Sequence, residues 1–407
     1  MAYTDFIAAI DLGTSHMVGM VGTKNATGAL SIIAYEVENS GTCIRRGCVY
    51  NVKETASKIK RLILKLENNL GGTKIGQVYV GLGGQSLRSI EHTVCKVLGT
   101  EGVVTEEIID SLYQECKDYR PDMLTVLDVV SPSYFLDDKP ESNPVGVPCS
   151  RIEARYKLIV GRPSLKLNIV NSISEQAKIE IAGILVSPLA LGDVVLSDNE
   201  KDLGCALIGF GAGVTTISVY KGGKLASLSV VPFGGNLITK DITNLRVVES
   251  EAERLKITYG SAKADRDNDM TIQVSLADGM GLREIKLAEL NGVIEARMDE
   301  ILENVYARLE ATGLMSVLGA GIVITGGGAA LKNLPAVMSE RLKMEVRYSA
   351  VRKGVVASGD LVVASNPEYA VAVGLLAKGT KNCALYIPPK PEPKIEPVVE
   401  PEPTVEP

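Results

Sequence analysis

The residues of this chain that could do chemistry gather in three glycine-rich stretches. In FIAAIDLGTSHMVGMVG, residues 6–22, an apolar run reaches Asp11 and then Gly13, Thr14 and Ser15 before a second apolar run begins. CALIGFGAGVTTISVY, residues 205–220, repeats the device with Gly211, Ala212, Gly213 and Val214, and GIVITGGGAAL, residues 321–331, ends an apolar run in Gly326, Gly327 and Gly328. A turn without bulky side chains exposes its backbone N–H groups, and a concave row of them binds an anion such as phosphate. The start of a helix offers the same donors. Two such turns facing each other would grip a polyphosphate from both sides, which points to a nucleotide held between two related halves. Asp11 would then lie beside a phosphate, and two anions attract only through a cation. Its carboxylate therefore fits Mg²⁺, held directly or through water. Taken alone, the same residue reads equally as a turn-starting Asp bonded to its own backbone. None of the three stretches matches the P-loop or the Rossmann fingerprint.

The elements that must position these turns are legible around them. Residues 6–39 read as strand, turn, strand, turn, strand, and residues 52–69 as a helix whose Ile59, Leu62, Ile63 and Leu66 recur at three and four. Gly71 and Gly72 end that helix, and residues 77–81 resume as a strand. Residues 84–160 are of another kind: a strand at 93–98, a helix at 106–119 that Thr105 can cap, strands at 125–130 and 133–136, and an alternating strand at 151–160. They suggest a small α/β insert. Residues 174–182 read as a helix and 183–186 lead into Pro188, after which the opening pattern restarts at Cys205. That restart is the strongest organisational signal and marks a duplicated two-lobed chain. Helices follow at 250–259, 288–312 and 370–376, with a strand at 270–276 and a turn at 279–281. Residues 388–407 hold eight of the eighteen prolines and five glutamates, a composition expected to form an extended, disordered tail.

Composition narrows the function. The 407 residues exceed one core, and 45% hydrophobic with 23% charged residues is ordinary for a soluble globular protein. A formal net charge of -6 and the lack of a basic run exclude a nucleic-acid footprint. Cys43, Cys48, Cys95, Cys116, Cys149, Cys205 and Cys383 are odd in number and lack zinc or redox spacing, so they read as free thiols in a reducing compartment. The N-terminus has no signal-peptide pattern and no stretch reaches membrane-spanning length. His16 and His92 are too few for a metal centre, and His16 reads as a surface imidazole more readily than as a phosphate contact.

The motifs resemble the actin, sugar-kinase and Hsp70 superfamily, and within it the FtsA family of bacterial cell division. The resemblance runs over residues 6–377 and rests on IDLGTS, VSPSYFLDDKPESNPVGV (130–147), SVYKGGKLASLSVVPFGGNLITKDI (218–242), SEAERLKITYG (250–260) and ITGGGAAL. It implies an α/β, actin-like fold of two duplicated RNase H-like lobes around a nucleotide cleft, with an FtsA-type inserted subdomain, 1C, replacing actin subdomain 1B. The implied division is 1A at 1–83, 162–201 and 356–387; 1C at 84–161; 2A at 202–238 and 318–355; 2B at 239–317; and a Pro/Glu-rich linker at 388–407.

Carried over by motif, the resemblance assigns ATP and Mg²⁺ to the cleft. Asp11 would meet the metal; Gly13, Thr14 and Ser15 would touch phosphate, and Gly211, Ala212, Gly213 and Val214 would grip it from the other lobe. Gly234, Gly235 and Asn236 would line the cleft, Glu253 and Lys256 would meet ribose and base, and Gly326, Gly327 and Gly328 would approach the nucleoside. Without the resemblance, Glu253 and Lys256 read as a solvated i,i+3 ion pair. The family usually has Asp where this chain has Gly209, and a carboxylate that positions water in MreB-like relatives falls near Ser187, so binding is expected with weak or absent hydrolysis. The implied role is an adaptor that polymerises into actin-like filaments, binds the C-terminal peptide of the tubulin-like FtsZ through 2B and contacts other division proteins. It would act at the cytoplasmic face of the inner membrane at the septum, through a C-terminal amphipathic helix that this sequence stops short of, as a truncation would. Arg283, Lys286, Arg297 and Arg308 are the expected basic patch for the acidic FtsZ peptide. An active phosphotransferase or ATPase and a pilus-assembly adaptor like PilM are the alternatives; the loop NPVGV (143–147) favours FtsA over PilM.

Overall fold

The computed structural model describes residues 5–99, 102–275, 281–357 and 366–385; the turn expected at 279–281 and the tail at 388–407 lie wholly or mostly outside them. The chain opens with β1 (Ile7–Leu12), β2 (His16–Lys24) and β3 (Leu30–Asn39), an antiparallel meander. A short ladder of β4 (Ile44–Arg45) and β5 (Cys48–Val49) precedes α1 (Val52–Asn69). Asn51 caps that helix, its side chain accepting the Glu54 N–H at 3.1 Å, and Ile59, Leu62, Ile63 and Leu66 are buried as their spacing predicts. Strand β6 (Gln77–Leu82) then lies parallel to β1.

Next come β7 (Arg88–Val97), α2 (Glu106–Asp118), β8 (Thr125–Leu136), β9 (Lys139–Glu141) and β10 (Arg151–Gly161). They form an antiparallel sheet in the order β7-β10-β8-β9 around a core of their own that includes Leu112, Cys116, Ile152, Tyr156 and Leu158. Residues 125–130 and 133–136, expected as two strands, are one. The register against β10 slips between Arg155 and Lys157, so Ser131 and Pro132 form a bulge, which accommodates a proline that has no N–H to give the ladder.

A second correction falls on residues 174–182. The helix lies earlier: α3 (Ser164–Val170) runs into a π-helical segment, Asn171–Ala177, and Lys178 ends it in the left-handed region. Leu165, Ile169, Ile173 and Ala177 are buried at a strict spacing of four, which drifts on an α-helix. The wider π turn keeps that stripe on the core. Residues 180–182 belong instead to β11 (Glu180–Val186), parallel to β6. Helices α4 (Ser187–Val195) and α5 (Asp198–Leu203) lead to the second half.

There β12 (Cys205–Phe210), β13 (Thr215–Lys221) and β14 (Lys224–Val231) repeat the meander, followed by α6 (Gly235–Ile242), α7 (Glu249–Tyr259), β15 (Thr271–Ser275), β16 (Leu282–Lys286) and α8 (Leu287–Glu310). Strand β17 (Ile322–Thr325), α9 (Leu334–Leu342), β18 (Val346–Tyr348) and α10 (Ala370–Lys378) complete the chain. The two five-stranded sheets, β3-β2-β1-β6-β11 and β14-β13-β12-β17-β18, match strand for strand, antiparallel through the meander and parallel thereafter. The duplication read from two hairpins therefore extends over both lobes. Helix α4 joins them: it packs on α10, where a side chain on Gly374 would strike the Ala190 carbonyl, and on β13, where one on Gly192 would strike the Tyr220 hydroxyl.

Candidate functional site

The register of the two hairpins makes their turns equivalent. Leu12 pairs with Met17 and Phe210 with Thr215, so the loops are residues 13–16 and 211–214, and Asp11 corresponds to Gly209. Each loop is tied from behind by its carbonyls. Ser40 donates its hydroxyl to Gly13 O at 2.7 Å and its N–H to Ser15 O at 3.0 Å. In the second lobe Gly235 N–H reaches Gly211 O at 3.0 Å and Asn236 N–H reaches Ala212 O at 2.8 Å. The N–H groups of Thr14, Ser15, Ala212 and Gly213 find no partner among the described residues, leaving two sets of bare donors of the kind an anion fills. The loops also meet: a Cβ on Gly213 would stand 2.6 Å from Thr14 Oγ1 and 2.9 Å from Arg46 Cα. Gly234 cannot carry a side chain either, since its Cβ would lie within 2.7 Å of the Ala212 carbonyl. Gly234, Gly235 and Asn236 thus hold the shape of the second loop.

Asp11 has no cationic partner among the described residues, and burial pushes its carboxyl up to about 6, against the opposing hydrogen bond from the Leu12 backbone. A partly buried carboxylate with one backbone hydrogen bond and no charge partner among the described residues is a donor that a cation would complete. Among the described residues no three His, Cys, Asp or Glu cluster as an all-protein metal cage. A single carboxylate is a donor of the kind Mg²⁺ takes beside water and phosphate. Gly81, at the end of β6, is what brings Asp11 and Ser187 together: a Cβ there would meet Ser187 Oγ at 2.5 Å and Asp11 Oδ1 at 3.1 Å. Ser187 therefore opens α4 beside the Asp11 carboxylate. At Gly209, the counterpart of Asp11, a Cβ would lie 2.6 Å from Thr216 Oγ1. The Thr325 hydroxyl, on the residue paired with Gly209, is buried without a hydrogen-bond partner.

On the far side of the second loop, Lys256 is 12% exposed and donates to Glu253 Oε2 at 2.7 Å, Thr239 Oγ1 at 2.8 Å and Gly235 O at 3.2 Å. Thr239 in turn donates to Glu253. The Lys256 ammonium is shielded while Glu253 stays 43% exposed, so the pair is a partly buried brace between α7 and the start of α6. Gly326 takes φ of 86°, and side chains on it or on Gly328 would strike Phe210, so the third glycine turn is pressed against the strand that opens the second loop. These contacts bring together the two loops, residues 234–236, Lys256 with Glu253, and Gly326 and Gly328 beside Phe210. Ser40, Gly81, Thr239 and Arg46 were not foreseen. Gly81 could have been, because in parallel sheets ligands bind beyond the carboxyl ends of the strands, and β6 ends in Gly81, Gly83 and Gly84 as β17 ends in glycines.

The expected basic patch is largely committed elsewhere. Arg297 is bound to Asp241 and Glu300, Arg283 donates to Leu245 O, and Lys286 lies 3.6 Å from Asp269. Arg308 is exposed and has no ion-pair partner among the described residues.

The model of the family described as Cell division protein FtsA matches residues 206–374. A protein of that name from Porphyromonas gingivalis is 39% identical over 93% of this chain and 79% of its own length. Those from Bacillus subtilis and Neisseria meningitidis serogroup B are 32% and 31% identical, over 95% and 92% of this chain and 86% and 90% of their own lengths. The chain belongs to the FtsA family. Among solved structures it resembles a PilM–PilN type IV pilus biogenesis complex (TM-score 0.63, 16% identity, 91% of this chain and 97% of that one). It also resembles MreB5 of Spiroplasma citri bound to ADP (0.51, 14%, 91% and 95%) and a MamK double helical filament (0.52, 11%, 91% and 97%). These likenesses show the fold, which is actin-like. No helix among the described residues is long and apolar enough to cross a membrane.

Proposed function

We propose that this FtsA-family chain binds ATP with Mg²⁺ between its lobes, hydrolyses it weakly or not at all, and polymerises as a scaffold for division. The observation that carries the reading is the pair of equivalent loops, touching through Thr14 and Gly213 and each left with unpartnered N–H donors. In it, Gly13, Thr14 and Ser15 hold phosphate from one side and Gly211, Ala212, Gly213 and Val214 from the other. Asp11 holds Mg²⁺ through water, and the ion supplies the positive charge that lets a carboxylate and a polyphosphate share one site. Gly234, Gly235 and Asn236 border the cleft, Glu253 and Lys256 serve the ribose and base, and Gly326, Gly327 and Gly328 back the nucleoside. Glycine at 209 and serine at 187 supply no carboxylate at those two positions to orient a water, which supports retention over turnover.

The same reading divides the chain into subdomains 1A, 1C, 2A and 2B at the boundaries given above. It assigns 2B the acidic C-terminal peptide of FtsZ, with Arg308 as the uncommitted cation, and places the protein at the cytoplasmic face of the inner membrane, residues 388–407 acting as the spacer. Titration of the full chain with a fluorescent ATP analogue, with and without Mg²⁺ and beside phosphate release, tests the nucleotide reading. Mg²⁺-dependent binding with little release is expected; absence of binding refutes it, and rapid release refutes the retention part. Pull-down with an FtsZ tail peptide at micromolar concentration tests the adaptor part, and no capture counts against it.

A further inference from the structure

The hairpin between β3 and α1 carries an arginine at its tip. Strands β4 and β5 pair Arg45 with Cys48, so Arg46 and Gly47 are a two-residue turn, with φ of 50° and 71°. Both central residues of such a turn lie in the left-handed region, which Asn and Gly accept readily and a long side chain does not. Arginine is the wrong residue for the turn. Strain of that kind persists where the surroundings enforce it, and it clusters at functional sites.

The surroundings here are the two loops. The Gly47 N–H donates to Thr14 Oγ1 at 2.9 Å, tying the hairpin tip to the first loop, and the Arg46 Cα is 2.9 Å from where a Cβ on Gly213 of the second loop would stand. On its third side the tip meets the end of β6, where a Cβ on Gly47 would lie 3.0 Å from Gly84. The charge is uncommitted. Arg61, Arg151, Arg155, Arg254, Arg297, Arg341 and Arg347 all pair with carboxylates, and Arg45 lies over the Tyr50 ring at 3.8 Å. Arg46 is exposed, and among the described residues its guanidinium meets only the neutral Gln85 Oε1, at 3.2 Å. Gln85 also donates its N–H to Arg46 O at 3.1 Å, three residues before β7 begins the insert.

We propose that Arg46 is a phosphate-binding residue that discriminates by phosphate number: its guanidinium contacts the terminal phosphate of a nucleoside triphosphate, and Gln85 links that contact to the insert. The inference rests on the nucleotide reading above. A planar, permanently charged fork suits a phosphate with two free oxygens, and a diphosphate bound at the same place leaves it without a partner.

The test compares wild type, Arg46→Gly and Arg46→Lys in the full chain, measuring affinity for ATP and ADP by direct titration and thermal midpoint without nucleotide. Arg46→Gly suits the turn, so its midpoint should hold or rise while affinity for ATP falls roughly tenfold, the scale of one charge-assisted contact. ADP affinity should change less than about twofold, with Arg46→Lys between. Equal loss for ATP and ADP, or loss for neither, overturns the inference while leaving the nucleotide reading intact. Failure of the wild type to bind either nucleotide overturns both.

Discussion

At the scale of single residues, Asp11 makes the sharpest prediction, because its position and its ionisation oppose each other in the empty protein. Burial raises its carboxyl from 3.8 to about 6, so the folded chain holds this proton more tightly than the unfolded chain does. The stability it contributes is therefore full below about pH 3.8 and is lost as pH rises through about 6. Above that window the ionised, unpaired carboxylate destabilises the fold, by on the order of 2–3 kcal/mol. Asp11→Asn should thus stabilise the nucleotide-free protein, with a gain in urea midpoint that grows between pH 4 and 6 and stays level above 7. The same variant should lose the Mg²⁺ dependence of ATP binding. A gain independent of pH would show that the carboxylate is not the cause. Gly81 supports the argument from the other side: Gly81→Ala would press on Ser187 Oγ and on Asp11, so it should weaken Mg²⁺-dependent binding more than Mg²⁺-independent binding in the same titration.

At the scale of elements, Lys256 braces α7 against the start of α6, and α6 donates the two N–H groups that shape the second loop. Lys256→Met keeps the stem but leaves the Gly235 carbonyl and the Thr239 hydroxyl with less to bond, costing about 1–2 kcal/mol of stability. Its effect on nucleotide affinity should exceed that of Arg254→Met, which sits on the same helix and loses its salt bridge to Glu251 and its contact with Tyr259 but nothing on α6. Denaturation and titration of both variants check this. The brace also shows where sequence reading stops. A strand–turn–strand device is visible because its alternation of apolar and tiny residues is local, and α1 is visible because its stripe and its Asn51 cap are local as well. The fate of an i,i+3 pair is not local: Lys256 is buried because Gly235, twenty-one residues away, leaves room for its ammonium. Residues 180–182 read wrongly as helix and 183–186 stay unassigned for the same reason, since this edge strand shows no alternation of its own and its parallel pairing with β6 defines it. Arg46 was invisible because its significance is a conformation that its residue type disfavours.

At the scale of the whole molecule, the second loop meets Thr14 and Arg46 of the first half at Gly213. Its φ is not in the left-handed region, so a side chain there strains nothing within its own lobe; the obstacle is entirely in the other one. A Cβ would lie 2.6 Å from Thr14 Oγ1, 2.8 Å from Thr14 Cγ2 and 2.9 Å from Arg46 Cα, closer than side chains pack. Gly213→Val must therefore part the lobes at their mouth, while the α4 and α10 packing on Ala190 and Tyr220 holds them together at the base. Separation moves both sets of N–H donors away from a shared phosphate. Nucleotide affinity should fall roughly tenfold or more, as expected when two of the donors to a charged group are lost. The radius of gyration in small-angle scattering should rise, while the unfolding midpoint without nucleotide changes little. Thr14→Gly in the Gly213→Val background removes two of the three clashes and should recover part of the closure seen by scattering. Gly292→Ala, in α8 at a glycine whose Cβ would meet nothing within 4 Å, should leave affinity and radius unchanged. If Gly213→Val instead binds ATP as tightly as the wild type, the lobes do not close on the ligand through this contact, and the phosphates must be held by one loop alone.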